Sequence, residues 1–233
     1  MAIRPIFIPC ETGDSLVITK PIEFSWSPGM AVSQKQKSIR ALHSSAKELD
    51  VVGEVLEISS KSEDELGKSL SAFNLKYKSK KNLSISVECL YQSSKVFEKG
   101  GPFRDLLHVS SLDAKRDPRL KESGNILHFL SPRNEEWPLE PKTLFYDWVY
   151  LNVLAENTHL QELVLEYSAY TDIEFNPKKS VNCQAYSVAL FAALYKRRLL
   201  NSALSSPQNY KEIVTQFVVV NANENQYLNP NLF

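Results

Sequence analysis

Residues 144–154, LFYDWVYLNVL, are apolar almost all the way round a helix. A helix of that kind is stable only when other elements wrap it on every side. It is too short to cross a bilayer, which takes roughly 20 apolar residues, so it demands a protein core. A chain of 233 residues is long enough to build one in a single domain.

The rest of the pattern fits around such a helix. The first 26 residues alternate in the β manner, with Ile6 and Ile8, then Val17, Ile22, Phe24 and Trp26, interrupted by the turn-prone ETGD at 11–14. Residues 33–49 read as a helix with Ile39, Leu42, Ala46 and Leu49 on one face. A short strand at 55–58 runs into SSKS, where Ser62 and Glu65 have capping-box spacing for a short helix. KYKSKKNL at 76–83 is a basic loop or hairpin. Leu160, Leu163, Val164 and Tyr167 repeat at helical spacing, and residues 171–175 read as a brief strand. Ser180 is a candidate cap for a helix to about Leu200, in which Ala185, Ala189 and Ala193 permit close packing. Ser206–Pro207 starts a last helix carrying Tyr210, Ile213, Val214, Phe217 and Val218. The expected fold is therefore α+β, a helix-rich single domain with small antiparallel β elements. Residues 1–200 form the domain, including an N-terminal β extension. Residues 201–233 hold a C-terminal helix and an Asn-rich tail.

Lys plus Arg and Asp plus Glu both number 27, so the formal net charge is zero. A dedicated duplex-DNA binder needs a basic excess to neutralise phosphates, so any nucleic-acid contact here is expected to be local and transient. No apolar run is long enough for a membrane, and the start lacks a basic, then apolar, leader; a soluble, cytoplasmic protein is expected. Cys10, Cys89 and Cys183 form neither a disulfide framework nor CxxC zinc spacing. The histidines, His43, His108, His128 and His159, form no paired-ligand motif, and there is no P-loop or GxGxxG. No metal and no cofactor is expected.

The most informative stretch is SVECLYQSSKVF at 86–97. Read as one helix ended by Gly100–Pro102, it is capped by Ser86 and places Glu88, Gln92 and Lys95 at i, i+4 and i+7 on one stripe. Glu88 lies in the first turn, at the positive end of the helix dipole. Glu88 and Lys95 are roughly 10 Å apart along the axis, too far for a simple i,i+4 pair. The ordinary reading is a solvated helix face. The alternative is a wall of carboxylate, amide and amine lining a groove for an elongated polar ligand.

Glu-x-x-x-Gln-x-x-Lys after LSAFN at 70–74 resembles the core of the NADAR family of N-glycosidases. The usual family form is a Phe-Ser-Asn-Phe segment, a short β excursion, then this motif. DAKRDPRLKESG at 113–124 resembles the family's Ala-Lys-x-x-Gly-Arg region, Trp148 in FYDWVYLNVL its Trp-led helix, and residues 172–174 its late acidic segment. The chain as a whole is similar to the subgroup of antitoxins associated with DarT-type DNA ADP-ribosyltransferases. IRPIFIP, LEISSKS, QSSKVFEKGGP, AKRDPRL, WPLEP, FYDW and TDIEFNPKKSVNCQA recur there as a set. The resemblance covers roughly residues 3–200.

This resemblance implies hydrolysis of the N-glycosidic bond between ADP-ribose and a base amine, with ADP-ribosylated guanine in DNA as substrate and a DarT-type toxin as functional partner. An oxocarbenium-like transition state needs a nearby carboxylate, for which Glu88 matches the family's glutamate. Lys95 has two open roles, phosphate binding or nucleophilic attack through a Schiff base. Glu174, sharing a strand face with Asp172 and Asn176, is the second carboxylate for acid–base work on the leaving amine, or else a solvent-facing edge. For the diphosphate the candidates are Ser59, Ser60 and Lys61 at a strand end, and Lys115, Arg116 and Arg119 in a basic turn. Phe73, Tyr91 and Trp148 are aromatic candidates for stacking on adenine or guanine, although an aromatic on an apolar helix is commonly core.

Two departures stand out. The family's Gly-rich, Trp-containing loop is shortened to NPKKSV at 176–181, with Asn182 in the position of its helix-opening Asn. Ala72 replaces the usual Asn, leaving Asn74 as a substitute. Two rival readings are an antitoxin acting by direct toxin binding and a housekeeping N-glycosidase on small phosphoribosyl-amine metabolites. Toxin-wrapping antitoxins usually carry a long disordered tail, and only the last Asn-rich dozen residues qualify.

Overall fold

The N-terminal alternation forms a hairpin, β1 (Ala2–Pro9) and β2 (Val17–Phe24), paired antiparallel from Ala2↔Phe24 to Pro9↔Val17. The chain continues through α1 (Val32–Glu48), β3 (Val55–Glu57), α2 (Glu65–Ser69), β4 (Lys76–Lys78), β5 (Ser84–Ser86), α3 (Val87–Gln92) and β6 (Lys95–Phe97). A 3₁₀ turn (Arg104–His108) leads to α4 (Ser111–Arg116), α5 (Arg119–Glu122), β7 (Ile126–Leu130), β8 (Glu136–Trp137) and α6 (Leu144–Glu156). The remaining elements are α7 (Thr158–Val164), β9 (Ala169–Thr171), α8 (Gln184–Lys196), α9 (Leu200–Leu204) and α10 (Pro207–Thr215). The structure, a computed structural model, describes residues 1–48, 53–78, 83–178 and 180–218. Leu49, the middle of the basic hairpin and the Asn-rich tail lie outside the described residues. The architecture is α+β, as the sequence predicts. Among the described residues no helix is long and apolar enough to cross a membrane.

The chain folds as two compact units: residues 1–70 together with the chain from His159 onward, and Ser71–Thr158. In the first, a four-stranded sheet runs β2-β1-β9-β3. Its β3–β9 pair is parallel (Val55↔Ala169 to Glu57↔Thr171), a departure from the all-antiparallel expectation. Successive strand residues point to opposite faces, and Ile6 and Phe7 are both fully buried, so this sheet is covered on both sides. Ile39, Leu42 and Ala46 of α1 pack with Ile6, Ile22 and Phe24 on one face. On the other, Phe7 meets Tyr186 of α8 edge-on, with ring centroids 5.7 Å apart. The small residues Ala185, Ala189, Ala192 and Ala193 of α8 are completely buried, which allows the close approach.

In the second unit α6 is buried on nearly every side, from Leu144 through Leu154 apart from Asn152. Phe145 stacks on Phe129 at 4.8 Å and Trp148 lies 5.3 Å from Trp137. The sheet β6-β7-β8 and the β4–β5 hairpin complete the unit.

Several predicted boundaries move. The 86–97 helix stops at Gln92, and Lys95 begins a strand instead of a further helical turn. Ser93 and Ser94 are fully buried and turn their hydroxyls onto the Leu90 carbonyl (3.1 and 2.8 Å), while the Ser94 carbonyl accepts from Leu130 N–H (2.8 Å). Serine hydroxyls compete with helical backbone bonds, and here strand pairing takes over. Gly100–Pro102 therefore follows β6 and ends no helix. Asp64 caps α2, accepting from Leu66 N–H at 2.8 Å, so the Ser62–Glu65 box is not the cap. Cys183, not Ser180, stands at the start of α8, and the break at Arg198, with φ of 59°, separates α8 from α9. Leu163 is exposed and Tyr167 lies past the end of α7, while Phe217 and Val218 lie past the end of α10.

Gly67 in α2 sits against the Glu57 carbonyl and the Ser62 side chain with no room for a Cβ. Gly67→Ala should lower stability by about 1–3 kcal/mol through overpacking, read as a shift of the denaturation midpoint. An unshifted midpoint would show that this contact gives freely.

Candidate active site

In the second unit, the segment before α3 fixes where Glu88 points. The Ala72 and Leu75 carbonyls accept from the Glu88 and Val87 N–H groups (both 3.0 Å), and Ser86 Oγ accepts from Cys89 N–H at 3.1 Å. These are the amides a helix leaves without intrahelical partners, so residues 72–75 anchor the first turn of α3. Ser111 Oγ ties the same corner together, 2.8 Å from Ser86 Oγ and 2.9 Å from the Phe73 carbonyl.

Glu88 and Gln92 are both buried, and Gln92 Nε2 donates to Glu88 Oε1 at 2.8 Å, the i,i+4 relation the sequence predicts. The other amide atom, Gln92 Oε1, is buried without a hydrogen-bond partner among the described residues. Lys95 leaves the helical stripe but remains electrostatically linked to Glu88, and its Nζ lies 4.7 Å from the centroid of the Tyr91 ring. That ring is braced by Tyr146 edge-on at 5.1 Å and by Phe129 at 5.4 Å. Burial lowers the Lys95 pKa from 10.5 to about 8; Glu88 opposes the shift and Lys115 adds to it. At pH 7.5 roughly a quarter of the molecules then hold a free amine, against about one in a thousand for an ordinary lysine. Lys115 Nζ lies 5.1 Å from the centroid of half-buried Phe73, and Asn74 beside it is exposed.

Two other candidates of this unit are already engaged. Arg119 donates to Asp105 (3.2 and 2.6 Å) and to Asp117 (both contacts 2.8 Å) and lies over Phe103, so a diphosphate would have to displace two carboxylates. Its pKa is raised by these partners. Trp148 is buried against Trp137 in the aromatic core.

The first unit holds the remaining candidates. Residues 172–175 form a turn, not a strand. Asp172 Oδ1 accepts from Glu174 N–H (2.9 Å) and Phe175 N–H (3.2 Å), so Asp172 is buried while Glu174 points outward and pairs with Lys35 at 3.1 Å. The expected shared face of Asp172, Glu174 and Asn176 does not form. Instead Asp172 is electrostatically coupled to Glu57 of β3, which sequence reading missed. Both pKa values are raised, chiefly by burial and further by mutual repulsion for Asp172. Every residue of β3 is buried, and a glutamate inside such a strand was the available signal. Ser59 is buried and bonds Glu57, Ser60 is exposed, and Lys61 N–H donates to Ser59 Oγ at 3.2 Å. Asn182 lies two residues before α8.

The family profile described as DarT1-associated NADAR antitoxin matches residues 2–224. The chain belongs to this family. A comparison with curated proteins returns no match. The NADAR match covers both units, and with it the Glu88–Gln92–Lys95 group and the Glu57–Asp172 pair.

The balance of charges around Lys95 is measurable. Glu88→Gln should move the Lys95 pKa below about 8, and Lys115→Met should raise it, both read from Lys95 NMR shifts across a pH titration. Identical titrations in all three proteins would remove the electrostatic link.

Proposed function

We propose that this NADAR antitoxin is an N-glycosidase that removes ADP-ribose from guanine bases in DNA, reversing the modification made by a DarT-type toxin. The observation that carries the reading is the partly buried Lys95 amine, set over the Tyr91 ring and electrostatically linked to the buried Glu88 carboxylate. A glycosylamine opens when the C1″–ring oxygen bond breaks, the guanine nitrogen supplies the electron pair of a C=N bond, and the ring oxygen takes a proton. Neutral Lys95 then adds through Nζ to C1″, a proton moves from Nζ to the guanine nitrogen, and the C1″–N bond to guanine breaks. Guanine leaves as its ordinary amine and Lys95 keeps C1″ as an imine. Water adds at C1″, the C1″–Nζ bond breaks, and ADP-ribose departs and recloses.

Glu88 stabilises the positive charge that develops at C1″ and exchanges protons with the nitrogens. Gln92 orients that carboxylate, and its buried Oε1 is an acceptor whose unmet bond costs about 1–3 kcal/mol until a donor such as a ribose hydroxyl reaches it. Half-buried Phe73 supplies an aromatic surface for a base, and Lys115 a cation to the diphosphate.

Mass spectrometry of ADP-ribosylated guanosine DNA should show free ADP-ribose after incubation with the protein. Glu88→Gln should lower kcat about 100-fold or more while substrate still binds. Lys95→Arg should abolish turnover, because a guanidinium keeps the charge and is no nucleophile at neutral pH. A Lys95→Arg enzyme that keeps much of kcat with a raised KM would assign Lys95 to phosphate binding. In cells expressing the toxin, only active variants should rescue growth; rescue by a folded, inactive variant would replace enzymatic reversal with toxin occlusion.

A further inference from the structure

The first unit contains a hydrogen-bonded chain that the chemistry above does not use. His43 Nε2 of α1 lies 2.8 Å from Thr171 Oγ1 of β9, and Thr171 Oγ1 lies 2.7 Å from Glu57 Oε2 of β3. Glu57 Oε1 is held by the Ile173 N–H at 2.8 Å, so only Oε2 faces the chain. Thr171 is completely buried and Glu57 nearly so. His43 and Glu57 both border one cavity of about 390 Å³ whose walls include Ile39, Val55 and Leu56, with Arg40 and Lys47 among its charged residues.

We propose that His43, Thr171 and Glu57 form a proton relay that couples the His43 imidazole to the buried Glu57–Asp172 carboxyl pair. A threonine hydroxyl has one proton and accepts another, so the chain has two complete arrangements. With Glu57 protonated, its O–H donates to Thr171, the Thr171 O–H donates to His43 Nε2, and the imidazole carries its proton on Nδ1. With Glu57 ionised, the Thr171 O–H donates to Glu57, and His43 donates from Nε2. Passing from the first to the second moves the Glu57 proton to Thr171 and the Thr171 proton to Nε2, and releases the Nδ1 proton to water. Glu57 gains one negative charge, one proton leaves, and no bond between heavy atoms changes.

The surrounding charges suit a conduit more than a store. Burial and Lys47 hold the His43 pKa down to about 4, against the pull of Glu54, so the ring stays neutral while it passes protons. On the carboxyl side, exposed Glu174 adds negative charge, Asp172 is itself pushed toward its neutral form, and Cys183 interacts electrostatically with Asp172. Across the cavity Arg40 is neutralised by Glu63, and Asp64 bonds the Tyr167 hydroxyl. The relay is independent of the roles of Glu88 and Lys95, and the test reads no turnover.

The nitrogen shifts of His43, followed by NMR across the titration of the carboxyl pair, should report a change of tautomer from Nδ1–H to Nε2–H as pH rises, without a change of charge. Thr171→Val should abolish that change, Thr171→Ser should keep it, and Glu57→Gln should leave one tautomer at every pH. A tautomer that stays constant in the wild type while the carboxyls titrate would overturn the relay. So would a switch that persists unaltered in Thr171→Val.

Discussion

Helix α3 begins where the preceding segment lends it two carbonyls. Val87 and Glu88 donate to Leu75 and Ala72, so the first turn cannot rotate without breaking bonds buried in the second unit. Glu88 thereby acquires a fixed direction before any ligand is considered. The helix ends just as definitely, because the buried hydroxyls of Ser93 and Ser94 fold back on Leu90 and the Ser94 carbonyl pairs with Leu130. A short helix fixed at both ends lets β6 bring Lys95 beside Tyr91, with Glu88 still the carboxylate that opposes its loss of charge. A continuous helix would have put them two turns apart.

Partial desolvation is what changes the chemistry of that lysine. The fall from 10.5 to about 8 corresponds to roughly 3 kcal/mol in favour of the neutral amine. The sign for stability follows from linkage. A depressed lysine pKa means that the unfolded chain binds more protons between about pH 8 and 10.5. In that window Lys95 favours the folded state increasingly as pH rises, and below it the native state carries the cost of a poorly solvated ammonium. Burial acts in the opposite direction on the acids of the first unit: Glu57 and Asp172 are pushed toward their protonated forms. One physical effect thus prepares a base in one unit and protonated acids in the other.

Much of this was legible in the sequence where a residue's role is local. The hairpin, the fully wrapped α6, the Ser86 cap, the Glu88–Gln92 spacing and the Ser206–Pro207 start are each signalled by a local pattern of residues. What sequence periodicity could not give were features set by partners far along the chain. The end of α3 depends on Leu130, and Asp172 is coupled to Glu57 in the distant strand β3. Glu57 meets Thr171 only because β3 and β9 pair in parallel across nearly half the chain. Arg197 is a similar case: its guanidinium gathers the carbonyls of Cys10, Thr12, Gly13 and Ser15 and fixes the β1–β2 turn from the end of α8. Arg119 shows the reverse error, since a basic run that looks ready for phosphate is already satisfied by Asp105 and Asp117.

The central claim is that Lys95 forms a bond to C1″ during the reaction. Borohydride reduces an imine to a stable amine, so adding it during turnover on ADP-ribosylated DNA should arrest the enzyme as an ADP-ribosyl adduct. Peptide mass mapping should place that adduct on Lys95. An enzyme that turns over in the presence of borohydride with no adduct on any lysine would contradict the claim, and an adduct on a different lysine would move the nucleophile there.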